Sequence, residues 1–295
     1  MNKTGASADE LRQIPRSTSV KRLFVALAAG AVNSLAFSSV AQAQESAPFN
    51  IGADPIGSQV KDGWDVALGG GVGVRPTYEG SDTSRTMVLP FVRATYDDMF
   101  SFGVDGLNAY WHQDNFRIGA GLTYDPGRPD HKTSGVFATG DDRLRGMGDI
   151  NGAAGLKLFG SYNLGRLSLS GSVTKFEGSD NKGLIGDVGA DLPFKVSDKL
   201  MMTVHVGATW ANQDYMQTFF GVTPAQAADS SFSEFTPKAG LKDIDAGVKA
   251  VYRLDQHWFV AANLGLKKLE GDAAKSPVSF SNTETVFTTV LGYRF

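Results

Sequence analysis

The chain has 295 residues, of which 42% are hydrophobic, 20% are charged and none is cysteine. This composition excludes a disordered, collagen-like or disulfide-stapled protein. The absence of thiols excludes thiolate zinc sites, iron–sulfur clusters and a cysteine nucleophile. The formal net charge of −3 gives no reason to expect a nucleic-acid partner.

The first 43 residues have the features of a secretion signal. A basic start precedes a 15-residue apolar run from Leu23 to Phe37, and the small-x-small pattern Val40-Ala41-Gln42-Ala43 follows. We therefore predict a signal peptide over 1–43, a periplasmic amino-terminal segment over 44–62 and a folded domain over 63–295. Because a secreted chain without cysteine is atypical of disulfide-dense extracellular modules, an envelope protein of a Gram-negative bacterium is indicated.

After the signal, the sequence alternates between apolar and polar residues. In 184–196 the even positions are apolar or small, whereas most odd positions are polar or glycine, and 200–210 repeats this pattern. A period of two is typical of β-strands with one apolar face. Further alternating segments lie at about 64–75, 86–96, 99–111, 115–125, 153–164, 166–176, 244–254, 258–266 and 285–295. Since none shows a helical period, we predict a domain that is almost entirely β.

The connections between these segments differ in length in a regular way. Short turns at 164–166, 197–199 and 255–257 interleave with long polar connections at about 126–152, 177–183, 212–242 and 270–284. Short periplasmic turns and long extracellular loops are characteristic of antiparallel up-and-down β-barrels of the outer membrane. Aromatic residues near the strand ends would form the girdle that contacts lipid head groups: Tyr96, Phe100, Trp111, Phe116, Tyr162, Phe194, Trp258, Tyr293 and Phe295.

The number of segments requires one adjustment. Eleven are counted, whereas single-chain bacterial barrels have an even number of strands. Asp105-Gly106 is a hairpin signal that could divide 99–111 into two short strands, which predicts twelve strands. If these residues form a glycine bulge instead, ten strands is the alternative.

The polar faces of the strands would point into the barrel and carry charges of both signs. Because an unpaired buried ion costs several kcal/mol, these charges are expected to pair. That favours a plugged or narrow interior over an open pore selective for one sign of charge. The charged positions are Asp65, Arg75, Arg117, Lys157, Asp187, Asp191, Lys195, His205, Asp243, Asp245, Lys249, Arg253, Lys267 and Arg294.

Candidate chemical motifs are weak. The run from Gly69 to Gly73 lies in an alternating segment, so it indicates close backbone approach rather than a nucleotide loop. The acidic loop residues lack calcium-loop spacing and are interpreted as solvated charge: Glu79, Asp82, Asp141, Asp142 and Asp149. Asp149 and Arg145 are instead expected to pair with Arg128 and order the long connection at 126–152 as a lid.

The four histidines give little support for catalysis. His112 and His257 fall at predicted periplasmic turns, His131 in a long loop and His205 inside the barrel. An outer-membrane hydrolase would need a histidine beside a nucleophile and an orienting third group. We therefore predict no enzyme activity and no catalytic, cofactor-binding or metal-binding residues.

Several loop motifs carry a family resemblance. In chain order, they are Tyr78-Glu79-Gly80-Ser81, Tyr124-Asp125-Pro126-Gly127-Arg128, the segment 144–150, the segment 219–227, Gly271-Asp272-Ala273 with Ser276-Pro277, and Gly292-Tyr293-Arg294-Phe295. Together they resemble the MipA/OmpV family of outer-membrane proteins over about 64–295. The terminal Phe295 also resembles the signal that the outer-membrane assembly machinery recognises.

The resemblance implies a location in the outer membrane, surrounded by its lipid, and an interaction role. It implies a scaffold that links a lytic transglycosylase to a penicillin-binding protein, with 44–62 and the periplasmic turns as the contact surface. A small-solute channel, related to osmolytes or antibiotics, is the alternative that the polar lumen leaves open.

Overall fold

The computed structural model describes residues 63–134 and 139–295. The predicted signal peptide and the segment 44–62 lie outside the described residues. The described chain contains twelve strands: β1 Trp64–Pro76, β2 Ser84–Tyr96, β3 Phe100–Gly103, β4 Gly106–Gln113, β5 Phe116–Asp125, β6 Ala153–Leu164, β7 Leu167–Glu177, β8 Lys182–Lys195, β9 Leu200–Ala211, β10 Gly240–Arg253, β11 Trp258–Leu269 and β12 Thr283–Arg294.

The strands form a closed antiparallel barrel in sequence order. Each pairs with the next, and β1 pairs with β12 from Ala67↔Arg294 to Val74↔Phe287. The predicted number of twelve is confirmed. The division falls at Asp105-Gly106, where Gly106 has a φ of +98° that favours glycine.

The alternating pattern separates an outer apolar face from an inner face. Large outward side chains such as Val88, Leu158 and Val206 are exposed on strands from all round the barrel. In a water-soluble sheet such residues would be covered, whereas in a barrel they form the lipid-facing band. Side chains added at Gly69 and Gly71 would overlap carbonyl oxygens of β12, which confirms the predicted close backbone approach.

The two ends of the barrel differ. The turns at 97–99, 114–115, 165–166, 196–199 and 254–257 share one end with the start of β1 and the end of β12. The connections at 77–83, 126–152, 178–181, 212–239 and 270–282 lie at the other end. Because outer-membrane barrels have short periplasmic turns and long extracellular loops, the end with the short turns is periplasmic and the other end is extracellular. The predicted girdle aromatics lie at the periplasmic ends of their strands.

The connection between β9 and β10 contains two helices that the alternation did not predict. Helix α1 spans Gln213–Phe220 and α2 spans Pro224–Asp229. Asn212 caps α1 by accepting the Tyr215 N–H, and Thr223 with Gln226 forms a capping box on α2. The prediction of a domain that is almost entirely β is confirmed, and these two helices were not predicted because they are too short to show a helical period. No helix among the described residues is long and apolar enough to cross a membrane.

Candidate functional site: the extracellular plug and the periplasmic rim

The apolar face of α1 packs into the extracellular mouth of the barrel. Tyr215, Met216, Phe219 and Phe220 are all buried. They form one cluster with side chains at the upper ends of the strands: Phe176, Ala211 and Leu269. Burying each large apolar side chain contributes roughly 1.5 to 3 kcal/mol, so the helix is firmly seated in the mouth.

A second apolar cluster joins four connections at the same end. Tyr78, Leu144, Met147, Val222 and Val278 are buried against one another. The Tyr78 hydroxyl donates to the Val278 carbonyl at 3.0 Å, and burial raises the pKa of this phenol. We call the described residues of 77–83, 126–152, 212–239 and 270–282 the plug, since they fill the mouth together.

A buried ion cluster ties the plug to the barrel wall. Glu79 Oε1 accepts Lys242 Nζ at 2.6 Å and Lys267 Nζ at 2.9 Å. All three side chains are less than a tenth exposed. Burial raises the pKa of the Glu79 carboxyl, but the charges of Lys242 and Lys267 outweigh it and hold the pKa below its ordinary value of 4.5. Glu79 is therefore ionised at neutral pH.

Two strands complete this cluster with carboxylates. A register shift between Leu241 and Asp243 lets the consecutive residues Lys242 and Asp243 both be buried. Asp243 Oδ2 lies 3.0 Å from Lys242 Nζ, and Glu284 Oε1 accepts the Gly80 N–H at 2.5 Å. Glu79, Lys242, Asp243, Lys267 and Glu284 are called the latch.

The latch corrects one prediction, because Glu79 is buried rather than solvated. The expected interaction of Asp149 and Arg145 with Arg128 is also wrong. Arg145 pairs with Asp142 at 2.9 Å, and Arg128 donates to the Phe219 carbonyl at 2.9 Å. The long loop is ordered by its contacts with α1 instead.

Below the plug, many inward charges pair as predicted. Arg294 makes two hydrogen bonds to Asp65 at 2.7 and 2.6 Å. His205 lies between two carboxylates, with Nδ1 2.9 Å from Asp191 and Nε2 3.3 Å from Asp245. These inward side chains of opposite charge thus form ion pairs with one another inside the barrel.

His131 lies in a small acidic group on the extracellular surface. Ligand atoms of Asp130, His131 and Asp149 lie within 4.8 Å of one another. Asp130 also accepts the N–H groups of Gly146 and Gly148, and Asp149 accepts the N–H of Asp130. The two carboxylates therefore bind the loop backbone, which accounts for the grouping.

The periplasmic rim consists of tight turns with an acidic bias. The five turns contain five aspartates, Asp97, Asp98, Asp114, Asp198 and Asp255, against the two cations Arg166 and Lys199. Three of the aspartates, at 97, 98 and 114, have positive φ values of 48 to 52°, which aspartate and asparagine tolerate better than most residues. Asp98 is mostly enclosed and binds Arg117, and Asp198 pairs with Lys195, so Asp97, Asp114 and Asp255 carry the acidic character of the surface that faces the periplasm.

A closed twelve-strand barrel with an exposed apolar band and an aromatic girdle defines an outer-membrane β-barrel protein. The model of a family described as MltA-interacting protein MipA matches residues 68–295. The chain belongs to this family, and the resemblance carried by the loop motifs is confirmed. No curated protein matches the chain.

Several solved outer-membrane barrels match the chain at low sequence identity and low TM-score. The translocator domain of autotransporter NalP from Neisseria meningitidis is 14% identical with a TM-score of 0.39, over 81% of this chain and 90% of that one. A FadL homologue of Pseudomonas aeruginosa is 12% identical with a TM-score of 0.36, over 79% and 90%. OprD of the same organism is 11% identical with a TM-score of 0.33, over 81% and 66%.

Proposed function

We propose that this protein is a scaffold that holds a murein hydrolase of the MltA type, a lytic transglycosylase, at the inner face of the outer membrane. The observation that carries the proposal is the buried plug. Because the barrel is filled at its extracellular mouth, its periplasmic rim is the surface that we expect to bind a partner. The family description, which names an interaction with MltA, supports the choice of partner. A penicillin-binding protein is proposed as a second partner on the same rim.

The chemistry of the rim suggests how the partner is recognised. The aspartates exceed the cations in the turns, so a basic patch on the hydrolase would fit them. Charges at the rim of an interface act mainly on the association rate and its salt dependence. We therefore propose a modest, salt-sensitive affinity.

The test measures binding of a purified MltA-type transglycosylase to the whole barrel in lipid nanodiscs. Asp97→Asn with Asp114→Asn removes two rim charges while keeping a residue that tolerates positive φ. We expect roughly tenfold weaker binding and a smaller salt dependence. Asp229→Asn, at the end of α2 on the extracellular side, is the matched control and should bind as the parent does. If the parent barrel does not bind the transglycosylase at low salt, the proposal is wrong.

We also propose that the protein acts without catalysis of its own. His205 contacts the two carboxylates Asp191 and Asp245, an arrangement suited to a structural ion cluster. His205→Asn should therefore leave transglycosylase binding unchanged, and murein incubated with the barrel alone should not be cleaved. Release of soluble muropeptides by the barrel alone would contradict this view.

Phe295 is proposed as the contact for the outer-membrane assembly machinery. Its N–H donates to the Val66 carbonyl at 2.9 Å, while the residue as a whole is 65% exposed. Phe295→Ala keeps the backbone hydrogen bond and removes the ring. It should lower the amount of folded barrel in the membrane of cells without changing refolding of the pure protein in detergent.

A further inference from the structure

The inner wall of the barrel is packed on one side and accessible to water on the other. Along β11 and β12, the inward residues from Phe259 to Leu269 and from Glu284 to Gly292 are all buried. An apolar cluster that includes Phe91, Val251 and Phe259 fills this side. Along β6 to β9, many inward side chains are at least partly exposed instead: Phe159, Ser170, Ser172, Asp187, Thr203 and His205. The lumen therefore retains a space along these four strands.

This space opens toward the periplasm. At the extracellular ends of the four strands, the inward residues are buried beneath the plug: Gly155, Phe176, Gly183 and Ala211. Exposure is greater toward the other end, where Asn163 and Lys195 are exposed. We call this space the vestibule. Because the plug closes it above, a solute would enter it from the periplasmic side.

A row of directly paired residues crosses the vestibule. Phe159 on β6 pairs with Ser172 on β7, Ser172 pairs with Asp187 on β8, and Asp187 pairs with Thr209 on β9. Ser172 Oγ donates to Asp187 Oδ2 at 3.0 Å, and Thr209 Oγ1 donates to Oδ1 at 3.0 Å. Two hydroxyls therefore fix the orientation of this carboxylate. Each of its oxygens keeps a further lone pair for a ligand.

Asp187 differs from the other carboxylates of the vestibule in its electrostatics. Asp191 and Asp245 both pair with His205. In the part of the chain that the structure describes, Asp187 has hydroxyl partners and forms no ion pair. A fixed carboxylate without a cation is complementary to an ammonium group, since a charge-assisted hydrogen bond is roughly twice as strong as a neutral one.

Lys157 supplies the opposite charge on the other side of β7. It is the inward residue next above Phe159 on β6, opposite Thr174. Its Nζ lies 5.3 Å from the centroid of the Phe159 ring, so the ammonium is directed down toward the row. Within residues 63–134 and 139–295, Lys157 likewise forms no ion pair. Its partly exposed ammonium is complementary to a carboxylate.

The two charges are too far apart to neutralise each other directly. Strands β6 and β8 are separated by β7, and two strand spacings amount to roughly 10 Å. A ligand that carries both charges can connect them. Contacts of roughly 2.8 Å at each end leave roughly 4 Å between the charged groups of that ligand. One extended residue spans roughly 3.5 Å, so a ligand of one or two residues has the required length.

We propose that the vestibule binds a small zwitterion, a free amino acid or a dipeptide, with its ammonium at Asp187 and its carboxylate at Lys157. The Phe159 ring lies between these two sites and provides an apolar contact for the body of the ligand. This inference is independent of the scaffold role, which concerns the outer surface of the periplasmic rim.

The test is equilibrium dialysis of carbon-14-labelled dialanine against the refolded barrel in detergent. Unlabelled alanine, dialanine, N-acetyl-dialanine and dialanine amide are the competitors. The acetyl group removes the ammonium of the ligand, and the amide removes its carboxylate. Because losing one charge-assisted hydrogen bond is expected to weaken binding about tenfold, both modified peptides should compete about tenfold less well than dialanine. The tighter competitor of alanine and dialanine gives the preferred length.

Two variants locate the ligand. Asp187→Asn should weaken binding of dialanine about tenfold and leave N-acetyl-dialanine unchanged, because that peptide has no ammonium to lose. Lys157→Gln should weaken dialanine about tenfold and leave dialanine amide unchanged. Lys175→Gln is the matched control. It removes a lysine from the outer face of β7, where the side chain is 63% exposed, and should bind dialanine as the parent does.

Three results would overturn the proposal. The first is that neither alanine nor dialanine shows saturable binding to the parent barrel. The second is that a modified peptide competes as well as dialanine, which would mean that one of the two charges is not recognised. The third is that the folded Asp187→Asn and Lys157→Gln proteins bind dialanine as the parent does. The competition series uses the parent protein alone, so it decides the proposal even if a variant does not fold.

Discussion

At the scale of single residues, Glu79 connects the plug to the wall. It is carried by a loop, while its partners Lys242 and Lys267 belong to strands. Removing one member of a buried ion pair leaves the other charge uncompensated, which is far more costly than removing an exposed pair. The plug should therefore depend on this side chain more than on any of its surface ion pairs.

Glu79→Gln is expected to lower the free energy of unfolding by about 3 kcal/mol, the usual cost of breaking a buried pair. The measurement is urea unfolding of the refolded barrel in detergent, followed by tryptophan fluorescence. Asp82→Asn, which removes an exposed partner of Arg143, is the control and should leave the unfolding curve in place. Equal unfolding curves for the two variants would mean that the latch contributes little to the free energy of unfolding.

The sequence predicted which charges face inward only where alternation holds. Asp65, Arg294, His205 and Asp191 were expected on the inner face, whereas the pairs that they form, Asp65 with Arg294 and His205 with Asp191, were not predicted individually. The burial of Lys242 beside Asp243 was not expected, because a register shift places consecutive residues on one side. A period of two carries no signal for such a shift.

At the scale of elements, β1 has a position that tolerates no side chain. A Cβ at Gly71 would overlap the Thr289 carbonyl oxygen of β12, whereas a Cβ at Gly70 would come no nearer than 3.9 Å to Leu89. Gly71→Ala should therefore cost about 2 kcal/mol through overpacking, and Gly70→Ala should be nearly neutral. The fraction of heat-modifiable barrel on gels after refolding distinguishes them. A loss that is equal for both would indicate a general effect on β1.

The helices of the plug show the limit of predicting secondary structure from sequence patterns. A signal for α1 is present in the sequence: the capping residue Asn212, followed by apolar residues at 215, 216, 219 and 220. Its eight residues are shorter than the windows in which a 3.6 period is reliable. The strands were predictable because every strand must present an apolar side to lipid, and this requirement repeats along the whole barrel. The conformation of the plug depends on local packing, which leaves no repeating pattern in the sequence.

At the scale of the whole molecule, the plug predicts a closed barrel with an acid-dependent opening. The lowered pKa of Glu79 means that its stabilising charge is present above its ordinary pKa of 4.5 and is lost as the pH falls through the lower folded value. In planar bilayers, the parent protein should be silent at neutral pH and show openings in acid. Glu79→Gln should open already at neutral pH. Frequent openings of the parent at neutral pH would instead favour the channel alternative.

The plug also determines where the cell-facing surface can accept new sequence. Most long loops of surface proteins tolerate insertions at exposed tips, but here Phe220 and Val222 are completely buried. The exposed Ser233 and Glu234 lie outside the helices. An epitope inserted between Ser233 and Glu234 should therefore be displayed on living cells with the barrel intact, so this connection offers a place for a label or a displayed peptide.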